Sequence, residues 1–185
     1  MTYWPFEENR LGGIHGENQT SSFWARIGNF YNAGVDIYAV ENELVRAIHN
    51  GTVIHTGSFT SNDEKSFLNY SEFVVIKSNN NLHVKYAGIE TIDLHVGQKI
   101  QAGEIIGKVT NILNSSESGS PRTMNDINLI SYFENPRLHL EVYKPPFVEI
   151  KPYSYGLFKA HYRPEAIIDP QLMLQHIDEK KVMVS

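Results

Sequence analysis

The residues of this chain best suited to chemistry sit in Pro136-Arg137-Leu138-His139-Leu140-Glu141-Val142. Side chains on a β-strand return to the same face every second residue, so positions 137 and 139 point together. Two histidines at that spacing would offer two imidazoles to a metal ion. The first place holds Arg137 instead, a permanent cation that neither binds zinc nor takes a proton. Upstream, Asn32-Ala33-Gly34-Val35-Asp36-Ile37 sets a carboxylate four positions after an amide. The first segment thus looks like a metal-binding strand with one histidine missing, and the second shows the same kind of loss.

The elements that must position these residues are mostly β. Short apolar or alternating runs fall at Gly34–Ala39, Leu44–Thr56, Glu72–Lys77, Leu82–Gly88, Ile105–Val109 and Leu138–Val142, separated by Gly, Asn and Ser clusters. Asn50-Gly51 is a hairpin signal, and Asn79-Asn80-Asn81 predicts the next turn. Helix is scarce. Asp169–Ile177 is its best candidate, with Asp169 as cap, Pro170 in the first turn and Leu172, Leu174 and Ile177 as an apolar side. At 185 residues, with no linker or tandem repeat, the chain reads as one domain over 1–185.

Bulk composition narrows the function classes. A net charge of −5 lacks the basic footprint that nucleic acid requires. No apolar run approaches a membrane span. Met1-Thr2-Tyr3-Trp4-Pro5-Phe6 does not read as a signal peptide, so either the protein acts in the cytoplasm or a leader lies outside this sequence. The absence of cysteine rules out disulfides, thiol catalysis and Cys-ligated zinc.

Further motifs join the first two. Val45-x-Ala47-x-x-Asn50-Gly51-Thr52-Val53-Ile54 and Val96-Gly97-Gln98-Lys99-Ile100-Gln101-Ala102-Gly103-Glu104-Ile105-Ile106-Gly107 read as hairpins with sharp glycine turns. Between them lies Leu82-His83-Val84-Lys85-Tyr86-Ala87-Gly88-Ile89, and near the end Ile168-Asp169-Pro170-Gln171-Leu172. The second glycine pattern also occurs in lipoyl and biotinyl carriers, but the displayed Met-Lys pair of a carrier is missing. As an ordered set from about Gly12 to Leu174, these motifs resemble the M23 family of zinc metallopeptidases, the LytM and lysostaphin type. The resemblance implies an antiparallel β-sandwich of the M23/LytM kind (a duplicated hybrid motif, barrel-sandwich) with little helix. It also implies action on peptidoglycan cross-bridges or other Gly-rich peptides, and an extracytoplasmic place.

Carried over position by position, the resemblance puts the three metal ligands at Asn32, Asp36 and His139. The two auxiliary histidines of the family fall on Gly88 and Arg137. Two ligands of three survive and neither acid/base group does, so the hydrolytic site reads as lost and no cofactor is expected. Several arrangements remain open. Asp36 and Arg137 could fill the old metal space as an ion pair; His139 could be a core histidine; His15 or His83 could substitute as a zinc ligand. Arg137, Asp36 and Tyr86 are the candidate groove residues. His49, His55, His95, His161 and His176 have no partner at useful spacing.

Two segments exceed the family pattern, about 111–135 and 143–163. The first begins polar at Asn114–Ser120 and ends apolar, which suggests a mobile tip and a packed return. The second is rich in proline and aromatics and reads as an apron on the sheet before a sugar-stacking or docking surface. Three functions follow. The first is a non-catalytic domain that binds, regulates or scaffolds in the cell wall or envelope, with a cell-wall peptide, a glycan or an envelope protein as partner. The second is a zinc endopeptidase with a rebuilt site. The third is a structural sandwich domain of a phage or secretion assembly.

Overall fold

The computed structural model describes residues 3–7, 20–116, 123–145, 153–159, 162–174 and 177. His15 and Glu117–Ser120, singled out above, lie outside them. Every strand pairing is antiparallel, and the mostly β expectation holds. A small sheet joins β1 (Arg26–Ile27) and β2 (Phe30–Asn32) to the later hairpin β11 (Tyr153–Ser154) and β12 (Leu157–Phe158).

The large sheet is built from β3 (Val35–Tyr38), β4 (Leu44–Arg46), β5 (Gly51–Thr60), β6 (Ser71–Ser78), β7 (His83–Thr91), β8 (Lys99–Ile100), β9 (Ile105–Val109), β10 (Arg137–Tyr143) and β13 (Ile167–Ile168). Its main path runs β13-β10-β7-β6-β5-β8, with β3 on β10 and with β9 joining β4 to β7. The β6–β7 turn falls at the asparagine cluster, where Asn81 takes φ 64.

Strand β10 is buried along its whole length. Alternation sends Leu138, Leu140 and Val142 into the main apolar core with Val35, Ile37, Val84, Tyr86 and Ile76. Arg137, His139, Glu141 and Tyr143 go to the opposite face. There Phe59, Phe67, Ile112, Leu129, Tyr132 and Leu157 form a second cluster. A charged face sealed by such a cluster is costly unless its groups are paired. Gly34 permits the tight β3–β10 crossing, because a Cβ there would collide with the carbonyl oxygen of Leu140.

Four expectations need correction. The run Leu44–Thr56 is two strands, and Asn50-Gly51 is not a hairpin turn between them: β4 pairs with β9, whereas β5 pairs with β6 and β8. Gly51 instead allows close approach, since a Cβ would stand 2.5 Å from the Lys77 carbonyl oxygen. The C-terminal helical residues do begin at Pro170, and Asp169 accepts from the Gln171 N–H at 2.9 Å. Leu174 and Ile177 are buried but Leu172 is exposed, so the apolar side is narrower than expected. Finally, the described part of the first insertion holds a helix, α1 (Met124–Tyr132). Thr123 caps it by accepting from the Asp126 N–H at 3.1 Å, and the Thr123 hydroxyl donates to the Asp126 carboxylate at 2.8 Å. That Thr-x-x-Asp pairing is a capping signal that sequence reading missed.

Candidate functional site

Antiparallel register brings Asp36 and His139 together, with His139 of β10 directly opposite Asp36 of β3. Asp36 is fully buried and surrounded by donors. Its Oδ1 lies 2.8 Å from His139 Nδ1. Its Oδ2 accepts from Tyr132 Oη at 2.7 Å and from Asn32 Nδ2 at 2.9 Å. Arg137 Nη1 stands 3.7 Å from the same oxygen. Asn32 is itself fixed, donating to the Thr20 carbonyl at 3.0 Å and accepting from the Gly34 N–H at 3.1 Å.

The far side of His139 is engaged as well. Its Nε2 lies 2.9 Å from Glu141 Oε1, and Lys85 Nζ lies 3.3 Å from that oxygen. With a carboxylate at each ring nitrogen, both nitrogens act as donors, so the ring is an imidazolium. Burial works to lower its pKa, but the hydrogen bonds to Asp36 and Glu141 and the charges of both raise it to about 9. The buried chain Asp36–His139–Glu141–Lys85, with Arg137 alongside, thus carries two negative and three positive groups.

Aromatic rings complete the enclosure. Arg137 lies with its Cζ 4.7 Å from the Tyr132 ring centre and 5.1 Å from that of Tyr38. Lys85 Nζ sits 4.7 Å from the Phe73 ring and 5.3 Å from the Phe59 ring, and Phe59 stacks on His139 at 5.7 Å. Burial of Tyr132 and the charge of Asp36 raise its pKa well above the ordinary 10, so its hydroxyl stays a donor.

Described parts of segments 111–135 and 143–163 therefore meet at this cluster. The first delivers Tyr132 from the end of α1. The second delivers the β11–β12 hairpin, whose central residues Tyr155 and Gly156 take φ 56 and 76 in a two-residue primed turn. Gly156 packs so closely on the imidazole that a Cβ would collide with His139 Nε2. Leu157 pairs with Asn32 in register, and its neighbour Phe158 is likewise buried. Within the described part of this segment Leu157 and Phe158 are buried and Tyr162 is exposed.

Other sequence candidates fall elsewhere. Tyr86 turns into the main core, where its hydroxyl accepts from the Ile48 N–H at 2.9 Å. It cannot line a groove beside Arg137, because alternation places it on the opposite face. His83 pairs with Tyr143 whereas Ala87 pairs with His139, which puts His83 about 13 Å along the strand from the level of His139. Gly88 has φ 76, and a Cβ there would stand 3.0 Å from the Arg137 carbonyl oxygen. Sequence reading passed over Glu141, Lys85, Tyr132 and Gly156. Glu141 was accessible by its two-residue offset from His139; the others follow only from pairing and from where the insertions pack.

The imidazolium makes stability pH-dependent. The folded pKa of His139 lies above the ordinary 6.5, so its stabilisation is complete below about pH 6.5 and is lost as pH rises through about 9. A shift of this size corresponds to about 3 kcal/mol, and denaturant midpoints should fall by that equivalent between pH 6.5 and 9.5. In a His139→Gln variant, that alkaline decline should be absent.

Among the described residues, no group of three or more His, Asp or Glu side chains is arranged to hold a metal ion. A family model described as peptidase family M23 matches residues 30–146. The structure of LytU is similar at a TM-score of 0.54 and 16% identity, covering 92% of this chain and 90% of that one. The catalytic domain of the antimicrobial peptidase lysostaphin from Staphylococcus simulans matches at 0.48 and 18%, over 95% and 90%. A mutant catalytic domain of the prophage-encoded M23 protein EnpA from Enterococcus faecalis matches at 0.49 and 22%, over 85% and 92%. No curated protein sequence matches the chain.

Proposed function

The chain belongs to peptidase family M23, and from that membership we propose that it is a non-catalytic member, a binding, regulatory or scaffold module in cell-wall or cell-envelope processes. The observation that carries this reading is the double engagement of His139 between Asp36 and Glu141. A histidine binds zinc as neutral imidazole through a bare nitrogen. Here both nitrogens are donors, the remaining Asp36 oxygen accepts from Tyr132 and Asn32, and Arg137 stands 3.7 Å from it. These donors do not fit the zinc ion of the family.

The acid/base places support the same reading. Arg137 cannot take a proton at working pH, and Gly88 has no side chain to offer. General acid/base catalysis and oxyanion stabilisation each contribute large rate factors, so losing both groups leaves little chemistry even if a metal were supplied. The extracytoplasmic place belongs to this proposal too. Among the described residues, no helix is long and apolar enough to cross a membrane.

The test is direct. After incubation with excess zinc and desalting, the protein should carry far less than one zinc per chain. It should also leave pentaglycine and cross-linked peptidoglycan uncut. Stoichiometric zinc together with chelator-sensitive cleavage would establish the competing reading, a peptidase with a rebuilt site.

A further inference from the structure

We propose that the open groove beside the buried cluster, lined by Ser22, Phe23, Trp24, Arg26, Asp169 and Gln171, binds a neutral oligosaccharide with Trp24 as its aromatic platform. The groove measures about 500 Å³, enough for more than one sugar ring. This extends the reading of the domain as one that binds rather than cuts, and it rests on that reading.

Trp24 carries the first part of the case. Its φ of 58 lies in the left-handed region, which a bulky side chain rarely adopts. Such strain persists only where surrounding structure imposes it, and it gathers at functional sites. Here the Trp24 N–H donates to the Asn32 carbonyl at 2.8 Å, and the indole stacks on Tyr31 at 5.4 Å and 13°. Phe158 supports it at 6.0 Å. The ring nevertheless stays half-buried at the groove wall.

The buried cluster fixes the loop that presents it. The Asp36 N–H donates to the Ser21 carbonyl, and the Asn32 N–H to the Ala25 carbonyl, each at 2.9 Å. Asn32 Nδ2 adds the bond to Thr20 already described. Residues that held a metal elsewhere in the family thus serve here to set the shape of the Thr20–Arg26 loop.

The rim chemistry selects the ligand class. Arg26 and Asp169 bring opposite charges, so the groove favours neither an anion nor a cation. Guanidinium, carboxylate and amide together supply donors and acceptors suited to vicinal hydroxyl groups. The aromatic wall suits the C–H face of a pyranose ring, because an indole offers a flat apolar surface of negative potential. Two rim groups are already held: Arg26 Nε donates to the Gly28 carbonyl at 2.9 Å, and Asp169 accepts from the Gln171 N–H at 2.9 Å. Less ordering is then left to the binding step.

The probe is chitotetraose, a neutral N-acetylglucosamine oligomer, titrated by calorimetry and tryptophan fluorescence, with pentaglycine in parallel. Trp4 is buried in the main core, so a fluorescence change reports Trp24. Trp24→Gly removes the platform at a backbone conformation glycine accepts readily, and thermal melting checks that the fold persists. Gln171→Ala, on the rim, decides the matter should the first variant fail to fold. Saturable chitotetraose binding that weakens by about tenfold or more in Trp24→Gly and severalfold in Gln171→Ala is expected. Absence of saturable binding, unchanged affinity in the folded variants, or Trp24-dependent binding of pentaglycine in place of the sugar would overturn the proposal. None of these outcomes bears on zinc content or hydrolysis, which test the non-catalytic reading separately.

Discussion

Replacing Asp36 with alanine should destabilise the domain by about 3–5 kcal/mol, because it leaves the buried Arg137 without its counter-charge and the His139 imidazolium with Glu141 alone. Arg137 is only 2% exposed and His139 1% exposed, and neither can turn to water without opening β10. Tyr132 and Asn32 lose a buried acceptor at the same time. For a domain of this size the loss corresponds to roughly 6–20 °C in melting temperature. Adding Arg137→Met should recover about 2 kcal/mol of it, since an apolar side chain of similar length fits between the Tyr38 and Tyr132 rings without needing a partner. Equal destabilisation of the single and double variants would mean that Arg137 and Asp36 are not energetically coupled.

Rebuilding the ligand set should fail until Arg137 is removed. Asn32→His alone supplies the residue type that the resemblance to the family implies at that position, yet the guanidinium still stands 3.7 Å from Asp36. Two unit charges about 4 Å apart at an effective dielectric of about 20 repel by about 4 kcal/mol, and a divalent ion doubles that. The double variant Asn32→His with Arg137→Ala is therefore expected to bind zinc on the order of a hundredfold or more tightly than Asn32→His alone. Titration against a metal-sensitive dye reads the ratio, and comparable affinities for the two variants would contradict it. Neither variant should hydrolyse pentaglycine. Gly88 holds a left-handed backbone against the Arg137 carbonyl, so a side chain cannot simply be grafted there.

What could be read from sequence was the part governed by period and order. Glycine and strand motifs placed β3, β7, β9 and β10, the family resemblance put Asp36 with His139, and two-residue alternation set positions 137 and 139 on one face. The same rule put Lys85 apart from Tyr86, although its consequence, that Tyr86 belongs to the core, emerged fully only with the packing. The contents of the cluster were less legible because they depend on contacts across long sequence separations. Tyr132 reaches Asp36 from 96 positions away. Gly156 reaches His139 only because β12 pairs with β2, and no local signal in a proline- and aromatic-rich segment encodes that pairing. Helix α1 was hidden for a different reason: a nine-residue helix with few buried positions leaves a weak periodic signal, and only its cap betrays it.

The most direct test of the central claim is the protonation state of the His139 ring nitrogens, read by long-range ¹H–¹⁵N correlation NMR at neutral pH with and without added zinc. An ion-paired cluster of Asp36, His139, Glu141, Lys85 and Arg137 predicts that both nitrogens carry protons, that the ring titrates only near pH 9, and that zinc leaves its signals unmoved. A neutral ring with one bare nitrogen, or one whose signals shift on adding stoichiometric zinc, would contradict the account.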